Sequence, residues 1–99
     1  MDRDREIELL QLLGSKGTRG ILQELSNRGK VKWTDFHVDI SIPTLYTKLS
    51  KLLEFSLIEH HLEKEPTRQE WYEITEKGRK TLKHLENLVE LIYKSGGID

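Results

Sequence analysis

Hydrophobic residues recur every three or four positions near the start of the chain. The stretch "REIELLQLL" places Ile7, Leu10 and Leu13 along one stripe, and Leu9 and Leu12 widen the apolar arc beyond a single face. This spacing predicts a helix, and a helix that is apolar so far round is usually covered from two sides. The first helix is therefore expected to have more than one packing partner.

A second helix is predicted after the break at "GSKG". Thr18 can cap it, and Ile21, Leu22 and Leu25 face inward along its length. The helix runs to about Asn27, where the glycine of "NRGK" ends it.

The segment that follows predicts only short elements. "VKW" is long enough for no more than an edge strand. Thr34 or Asp35 then caps a brief helix that carries Phe36 and Val38.

Polar and apolar positions separate most clearly in "SIPTLYTKLSKLLE". Ser41 caps this predicted helix, and Pro43 lies in its first turn, where a missing N–H costs nothing. The apolar stripe, about 100° wide, consists of Leu45, Leu49, Leu52 and Leu53. The opposite face consists of Thr44, Thr47 and Lys51, flanked by Lys48 and Ser50.

Beyond this helix the apolar period changes to two. "LIEHHL" places Ile58, His60 and Leu62 on one side, and "EWYEI" places Tyr72 and Ile74 on one side. The polar stretch "EKEPTRQ" between them predicts the tip of a β-hairpin.

A long helix is predicted to close the chain. Thr75 caps it, and it runs to about Lys94 before "SGGID". Its apolar stripe consists of Leu82, Leu85, Leu88, Val89 and Ile92, and Leu91 lies outside that stripe.

The order of elements predicts one α+β, mostly α domain over residues 1–99. A helix-turn-helix followed by a hairpin is the winged helix-turn-helix arrangement, in which the polar face of the second helix of the turn is free to enter a DNA groove. The expected parts are an N-terminal helix (1–14), a winged-helix core (15–75) and an added long C-terminal dimerisation helix (76–95).

The sequence resembles the HxlR group of MarR-like winged-helix transcription regulators over about residues 13–92. The resemblance rests on "LGSKGTRGILQEL", "VKWTDF", "SIPTLYTKLSKLLEFSLIE" and "YEITEKGRKTL". It implies a DNA-binding regulator. The chain departs from the group in having no cysteine to sense oxidants, and Phe55-Ser56 where relatives usually carry a glycine before the strand.

Composition changes this picture in one respect, the charge. The formal net charge is −1, yet five basic residues face one acid between residues 16 and 32, a local +4. The hairpin is the reverse, because Glu59, Glu63, Glu65 and Glu70 outnumber its Lys64 and Arg68. Only charges within about a Debye length (~10 Å) of a ligand act on it, so a near-neutral chain can still carry a basic face.

No apolar run approaches the roughly 18 residues of a membrane span, and the start "MDRDREIELL" is unlike a signal peptide. A cytoplasmic protein with no membrane partner is the simplest interpretation. An interface between the dimer helices and the reading head could hold a small-molecule effector, which the sequence does not identify.

The resulting candidates for DNA contact are hydroxyl and basic residues, which suit base edges and phosphates. They are Ser41, Thr44, Thr47, Lys48, Ser50 and Lys51 on the reading helix, Lys32, Thr34 and Arg19 as backbone anchors, and Lys64 and Arg68 on the wing.

The terminal helices predict a homodimer, because both are too widely apolar to satisfy each other within one chain. The candidate interface consists of Ile7, Leu9, Leu12, Leu82, Leu85, Leu88, Val89, Leu91 and Ile92. The alternative is that the first helix simply covers the last. A two-fold dimer predicts a roughly palindromic operator with half-sites about 34 Å apart.

Catalysis is poorly supported by the sequence. "DFHVD" and the pair His60-His61 hold potential ligands, but neither predicts three converging groups, so no metal and no cofactor is expected. No nucleophile or nucleotide motif is present, and we expect a non-enzymatic protein. The competing hypothesis is a winged-helix protein-interaction module without specific DNA binding, which the acidic wing favours.

Overall fold

The computed structural model describes residues 1–94, which form four α-helices and a two-stranded antiparallel sheet. The helices are α1 (Arg3–Gly14), α2 (Thr18–Arg28), α3 (Ile42–Glu54) and α4 (Glu76–Lys94). The strands are β1 (Ile58–Glu63) and β2 (Gln69–Ile74), and a 3₁₀ turn (Trp33–Asp35) precedes α3. This order confirms the predicted winged helix-turn-helix. The predicted end of the last helix at residue 95 and the "SGGID" segment lie outside the described residues.

The core is built around α2. Ile21, Leu22 and Leu25 on its inner face are fully buried, and α1, α4 and β2 all pack against this helix. Leu49 and Leu52 of α3 complete the centre of the core. Burial of each such side chain contributes about 1.5–3 kcal/mol to the free energy of folding.

The beginning of α2 differs from the prediction. Its N-cap is Gly17, with a positive φ of 92°, and Thr18 is already the first helical residue. The Thr18 side chain is fully buried, and its hydroxyl lies 3.1 Å from that of Ser15. The prediction that Thr18 caps the helix is wrong, because the hydroxyl is used for packing and a local hydrogen bond instead.

The prediction of a brief helix carrying Phe36 and Val38 is also wrong. After the 3₁₀ turn the backbone is irregular up to α3. Side chains of α2 take the backbone groups that a helix would need: Glu24 accepts the His37 N–H at 2.9 Å, and Arg28 donates to the Asp35 carbonyl at 2.8 Å. The expected edge strand is reduced to a single bridge between Val31 and Tyr72.

The boundaries of α3 follow the prediction. Ser41 is the N-cap and accepts a hydrogen bond from the Thr44 N–H, and the proline lies in the first turn. Leu45, Leu49 and Leu52 are buried, and Leu53 packs against the same core.

The hairpin keeps the alternation that the sequence predicts within each strand. Ile58 pairs with Ile74 and His60 with Tyr72, so these side chains share one face of the sheet. Ser56, just before β1, has a positive φ of 59°, a backbone conformation that favours glycine.

The start of α4 is fixed by two contacts with the segment before β1. Thr75 caps the helix as predicted, because its hydroxyl accepts the Gly78 N–H at 2.9 Å while donating to the Ser56 carbonyl at 2.7 Å. Gly78 lies so close to the strand that a Cβ there would stand 2.0 Å from the Leu57 carbonyl oxygen. Only glycine permits this approach of helix to strand.

The terminal helices leave part of their apolar surface uncovered. Leu12 and Leu82, predicted for a dimer interface, are buried in the core of the single chain, and Leu9 packs against that core. A second chain therefore has little of Leu12 and Leu82 left to cover. The exposed hydrophobic residues of the two helices are Ile7, Leu10, Leu88, Val89, Leu91, Ile92 and Tyr93.

None of the helices within residues 1–94 is both long and apolar enough to cross a membrane.

We expect Gly78→Ala to lower the free energy of unfolding by about 1–3 kcal/mol, because the added methyl meets backbone that cannot move aside. Urea unfolding followed by circular dichroism measures this. Gly14→Ala is the matched control, since a Cβ at that helical position meets nothing within 4 Å. It should leave stability unchanged or raise it by up to about 1 kcal/mol. Equal urea midpoints for the two variants would contradict the close approach of Gly78 to the Leu57 carbonyl.

Candidate nucleic-acid interface

The outer face of α3 begins at its cap. The Ser41 hydroxyl donates to the Thr44 hydroxyl at 2.9 Å, and both residues are exposed. Thr47 and Ser50 are exposed one and two turns further along. The Thr47 hydroxyl donates to the Pro43 carbonyl at 3.0 Å, which leaves its oxygen able to accept a hydrogen bond from outside. The outer face of α3 thus presents a row of exposed hydroxyl groups.

The two lysines of α3 do not share this outward position. Lys48 Nζ donates to the Ser15 hydroxyl at 2.6 Å, and Lys51 Nζ donates to a Glu8 carboxylate oxygen at 2.9 Å. Both ammonium groups therefore contact α1 or the residue that ends it. The sequence pattern placed Lys51 on the free polar face of α3, opposite the leucine stripe. The structure places it at the junction of α1 and α3.

Glu8 is the centre of a small charge network at that junction. Arg5 Nη1 lies 3.3 Å from Glu8 and 3.4 Å from Glu54 of α3. The hydrogen bond from Lys51 holds the pKa of the Glu8 carboxyl below its ordinary value, and the same bond raises the pKa of Lys51. The guanidinium of Arg5 also lies 4.3 Å from the centre of the Phe55 ring. The network ties α1 to the carboxyl-terminal end of the reading helix.

The wing is partly neutralised by its own acids. Glu70 binds Arg68, whose Nε donates at 3.0 Å, and also lies 3.1 Å from His60 Nε2. These hydrogen bonds, that of Arg68 first, lower the pKa of Glu70. Lys64 is exposed at the tip. Arg68 would have to leave Glu70 in order to pair fully with a phosphate.

The predicted backbone anchors fall at two places. Lys32 and Thr34 border an open cleft of about 260 Å³ between the 3₁₀ turn and the wing, with Arg68 to Glu70 on its other side. Arg19 lines a different depression, together with Lys16 and Asp39. Lys32 and Thr34 thus lie beside the wing, whereas Arg19 faces a separate surface.

Two aromatic residues that the sequence reasoning missed lie at this surface. The rings of Trp33 and Tyr46 are 5.2 Å apart between centroids and tilted by 35°, and the residues are 38% and 44% exposed. Ile42, in the first turn of α3, is 58% exposed. The signal was available for Tyr46, which stands outside the leucine stripe of its helix, whereas Ile42 falls within that stripe.

The histidines and acids do not assemble a metal centre. His60 contacts Glu70 on one face of the sheet, whereas His61 contacts Glu59 at 3.0 Å and stacks on Trp71 on the other face. Within residues 1–94, no three His, Asp or Glu side chains converge as ligands of one ion.

Comparison with known proteins confirms the fold. Reduced YodB, a transcriptional regulator from B. subtilis, matches with a TM-score of 0.76 and 20% identity, over 93% of this chain and 92% of that one. A MarR family regulator from Silicibacter pomeroyi gives 0.62 and 19%, over 81% of this chain and 56% of its own. A MepR mutant from S. aureus gives 0.66 and 16%, over 98% and 75%. No family model and no curated protein sequence matches the chain.

We expect Lys51→Ala to raise the pKa of the Glu8 carboxyl, because the variant removes the hydrogen bond that lowers it. A group with a lowered pKa stabilises the fold above its ordinary value of 4.5 and loses that contribution as the pH falls through the lowered value. Wild type should therefore lose more stability than Lys51→Ala on acidification through this range. NMR titration of the glutamate carboxyl carbons, with unfolding curves at each pH, measures both.

Lys48→Ala is the control for that experiment, because its ammonium contacts the Ser15 hydroxyl rather than a carboxylate. It should leave the Glu8 titration nearly unchanged. Equal shifts in the two variants would contradict a specific Lys51–Glu8 bond.

Proposed function

We propose that this protein is a sequence-specific double-stranded-DNA-binding transcriptional regulator that acts as a homodimer. The observation that carries the proposal is the exposed amino-terminal half of α3, capped by Ser41 and bordered by the hairpin. A helix presented in this way beside a wing is the geometry with which winged-helix proteins enter the major groove. The regulators that share the fold support the same function.

The chemistry of the exposed face suits a base edge. Threonine and serine hydroxyls bond to donors or acceptors of either base type. The Thr44 N–H is bonded to the Ser41 hydroxyl and Pro43 has no N–H, so a phosphate at this end of α3 would be attracted by the helix dipole rather than by several free N–H groups. Thr44, Thr47 and Ser50 are therefore the primary candidates for reading DNA.

The lysines act differently in this proposal. Lys51 is bound to Glu8, so it supplies less attraction to phosphate than an unpaired lysine would. Lys32, beside the wing, is the stronger candidate for a phosphate contact. With a total charge of −1, affinity for DNA should depend on a few well-placed cations rather than on general attraction.

We assign the dimer contact to α4 and the exposed edge of α1. Residues 86–94 of α4 are exposed, although five of them are large hydrophobic residues. A helix end that its own domain leaves uncovered is marginally stable in water, and an apolar surface of this kind marks an interface. A second copy offers the same surface, and a two-fold axis would place two α3 helices on one side of the dimer.

We expect Thr47→Ala to weaken binding to the preferred duplex roughly tenfold, within the 1–3 kcal/mol typical of one specific base contact. The duplex is first selected from a random-sequence pool. Titrations at two salt concentrations should show affinity falling steeply with salt as counterions are released. Affinity that is absent at low salt would end the regulator proposal.

Thr81→Ala is the matched control for this variant. Its hydroxyl donates to the carbonyl four residues earlier, at 2.8 Å from Lys77, as that of Thr47 does to Pro43. The two substitutions therefore remove the same local bond, but Thr81 lies on α4. An equal loss of affinity in both variants would contradict reading by α3.

We expect Leu88→Glu to dissociate the proposed dimer into monomers of 11.6 kDa. The substitution places a charge in the apolar dimer contact of α4. Analytical ultracentrifugation measures the mass. Asn87→Glu is the control, since it adds the same charge 100° round the helix. A monomeric wild type, or loss of the dimer in both variants, would contradict this interface.

One observation supports the alternative function, a protein-interaction module. Arg68, one of the two basic residues of the wing, is paired with Glu70 and is therefore less available to a phosphate. A partner captured through the hairpin equally well before and after nuclease treatment would favour that function.

A further inference from the structure

Three large hydrophobic side chains form one exposed patch at the amino-terminal end of α3. Trp33 and Tyr46 are in ring contact, and Trp33 and Ile42 line the same groove of about 320 Å³. All three residues are more than a third exposed. We refer to Trp33, Ile42 and Tyr46 as the aromatic patch.

The aromatic patch is held in place by the residues beneath it. Phe36, Val38, Ile40 and Leu45 line the floor of the groove, and all four belong to the core or pack against it. The backbone that carries Trp33 is fixed by the Arg28 hydrogen bond to the Asp35 carbonyl. A patch supported in this way can make a shape-specific contact without first being ordered.

The surroundings of the patch restrict what can cover it. Lys32 and Thr34 lie on the wing side, in a cleft that Trp33 also lines. Thr47, which follows Tyr46, is exposed on α3. A ligand that covers the aromatic patch therefore needs apolar groups at its centre and polar or anionic groups around them.

We propose that the aromatic patch reads thymine 5-methyl groups in the major groove. The thymine methyl is the apolar group that a base edge presents there, and phosphates and base acceptors surround it in the way the patch requires. This inference rests on the proposed DNA-binding function and adds a sequence preference to it, for T-containing steps opposite the first two turns of α3.

The test compares thymine with deoxyuridine, which differ only by that methyl group. The duplex enriched from a random pool is synthesised with each thymine replaced in turn by deoxyuridine. Loss of one contacted methyl should weaken binding about fourfold. Tyr46→Ala should bind the thymine and deoxyuridine duplexes equally at the position that it reads.

Two conservative variants separate the aromatic ring from its neighbours. Tyr46→Phe keeps the ring and should keep the thymine preference, whereas a preference lost with the hydroxyl would overturn the inference. Thr47→Ser removes the methyl group next in sequence and should also keep the preference. A preference that disappears with Thr47→Ser and survives Tyr46→Ala would assign the contact to threonine and overturn the proposal.

The result distinguishes this inference from the function on which it rests. Specific duplex binding with no thymine position sensitive to the methyl would overturn the inference and leave the regulator function intact. Failure to enrich any duplex from the pool would overturn both.

Discussion

The burial of α2 is the constraint on which the other surfaces of the molecule depend. Its inner face is fully buried by α1, α4 and β2, and its polar edge carries the two side chains that hold the turn before α3. Glu24 and Arg28 bind backbone groups of His37 and Asp35, so one helix positions both the core and the segment that carries Trp33. A shift of α2 would move the wing and the amino end of α3 together.

The charges of α3 are arranged differently from those of a simple basic reading helix. Its two lysines contact Glu8 and Ser15, so the exposed half of the helix is left to hydroxyl and apolar groups. Such groups gain little from long-range attraction and discriminate through direct contact. A protein with a formal charge of −1 and this type of surface should bind non-specific DNA weakly, which makes the ratio of specific to non-specific affinity the relevant quantity.

Periodicity in the sequence was sufficient to predict the leucine stripe of α3, the caps Ser41 and Thr75, and the alternation of side chains along both strands of the hairpin. These features depend on residues within a few positions of one another, or on strict alternation. The failed prediction of a helix carrying Phe36 and Val38 depends on contacts with another element, α2. The side chains of Glu24 and Arg28 bind backbone groups of an irregular segment where a helix was predicted. No local sequence pattern indicates these contacts.

The same reason explains why the structure places some candidate residues elsewhere than the sequence pattern suggested. A helical wheel shows which face is polar but not which neighbour covers it, so Lys51 seemed free although Glu8, 43 residues earlier, binds it. Leu12 and Leu82 were assigned to a dimer for the same reason, because an apolar arc does not show where the core ends. The arc of α1 divides in the structure: Leu9 and Leu12 pack inward, and Ile7 and Leu10 remain outside.

That division gives α1 contacts in three directions. Leu12 is in the core, Glu8 holds Lys51 of α3, and Leu10 is 61% exposed beside the surface assigned to the second copy. In the proposed dimer, α1 would contact α3 on one side and the second copy on another, so a change in either contact can affect the other. We therefore expect the dissociation constant of the dimer and the affinity for DNA to be linked through α1, with the Glu8–Lys51 bond as the contact that reaches α3.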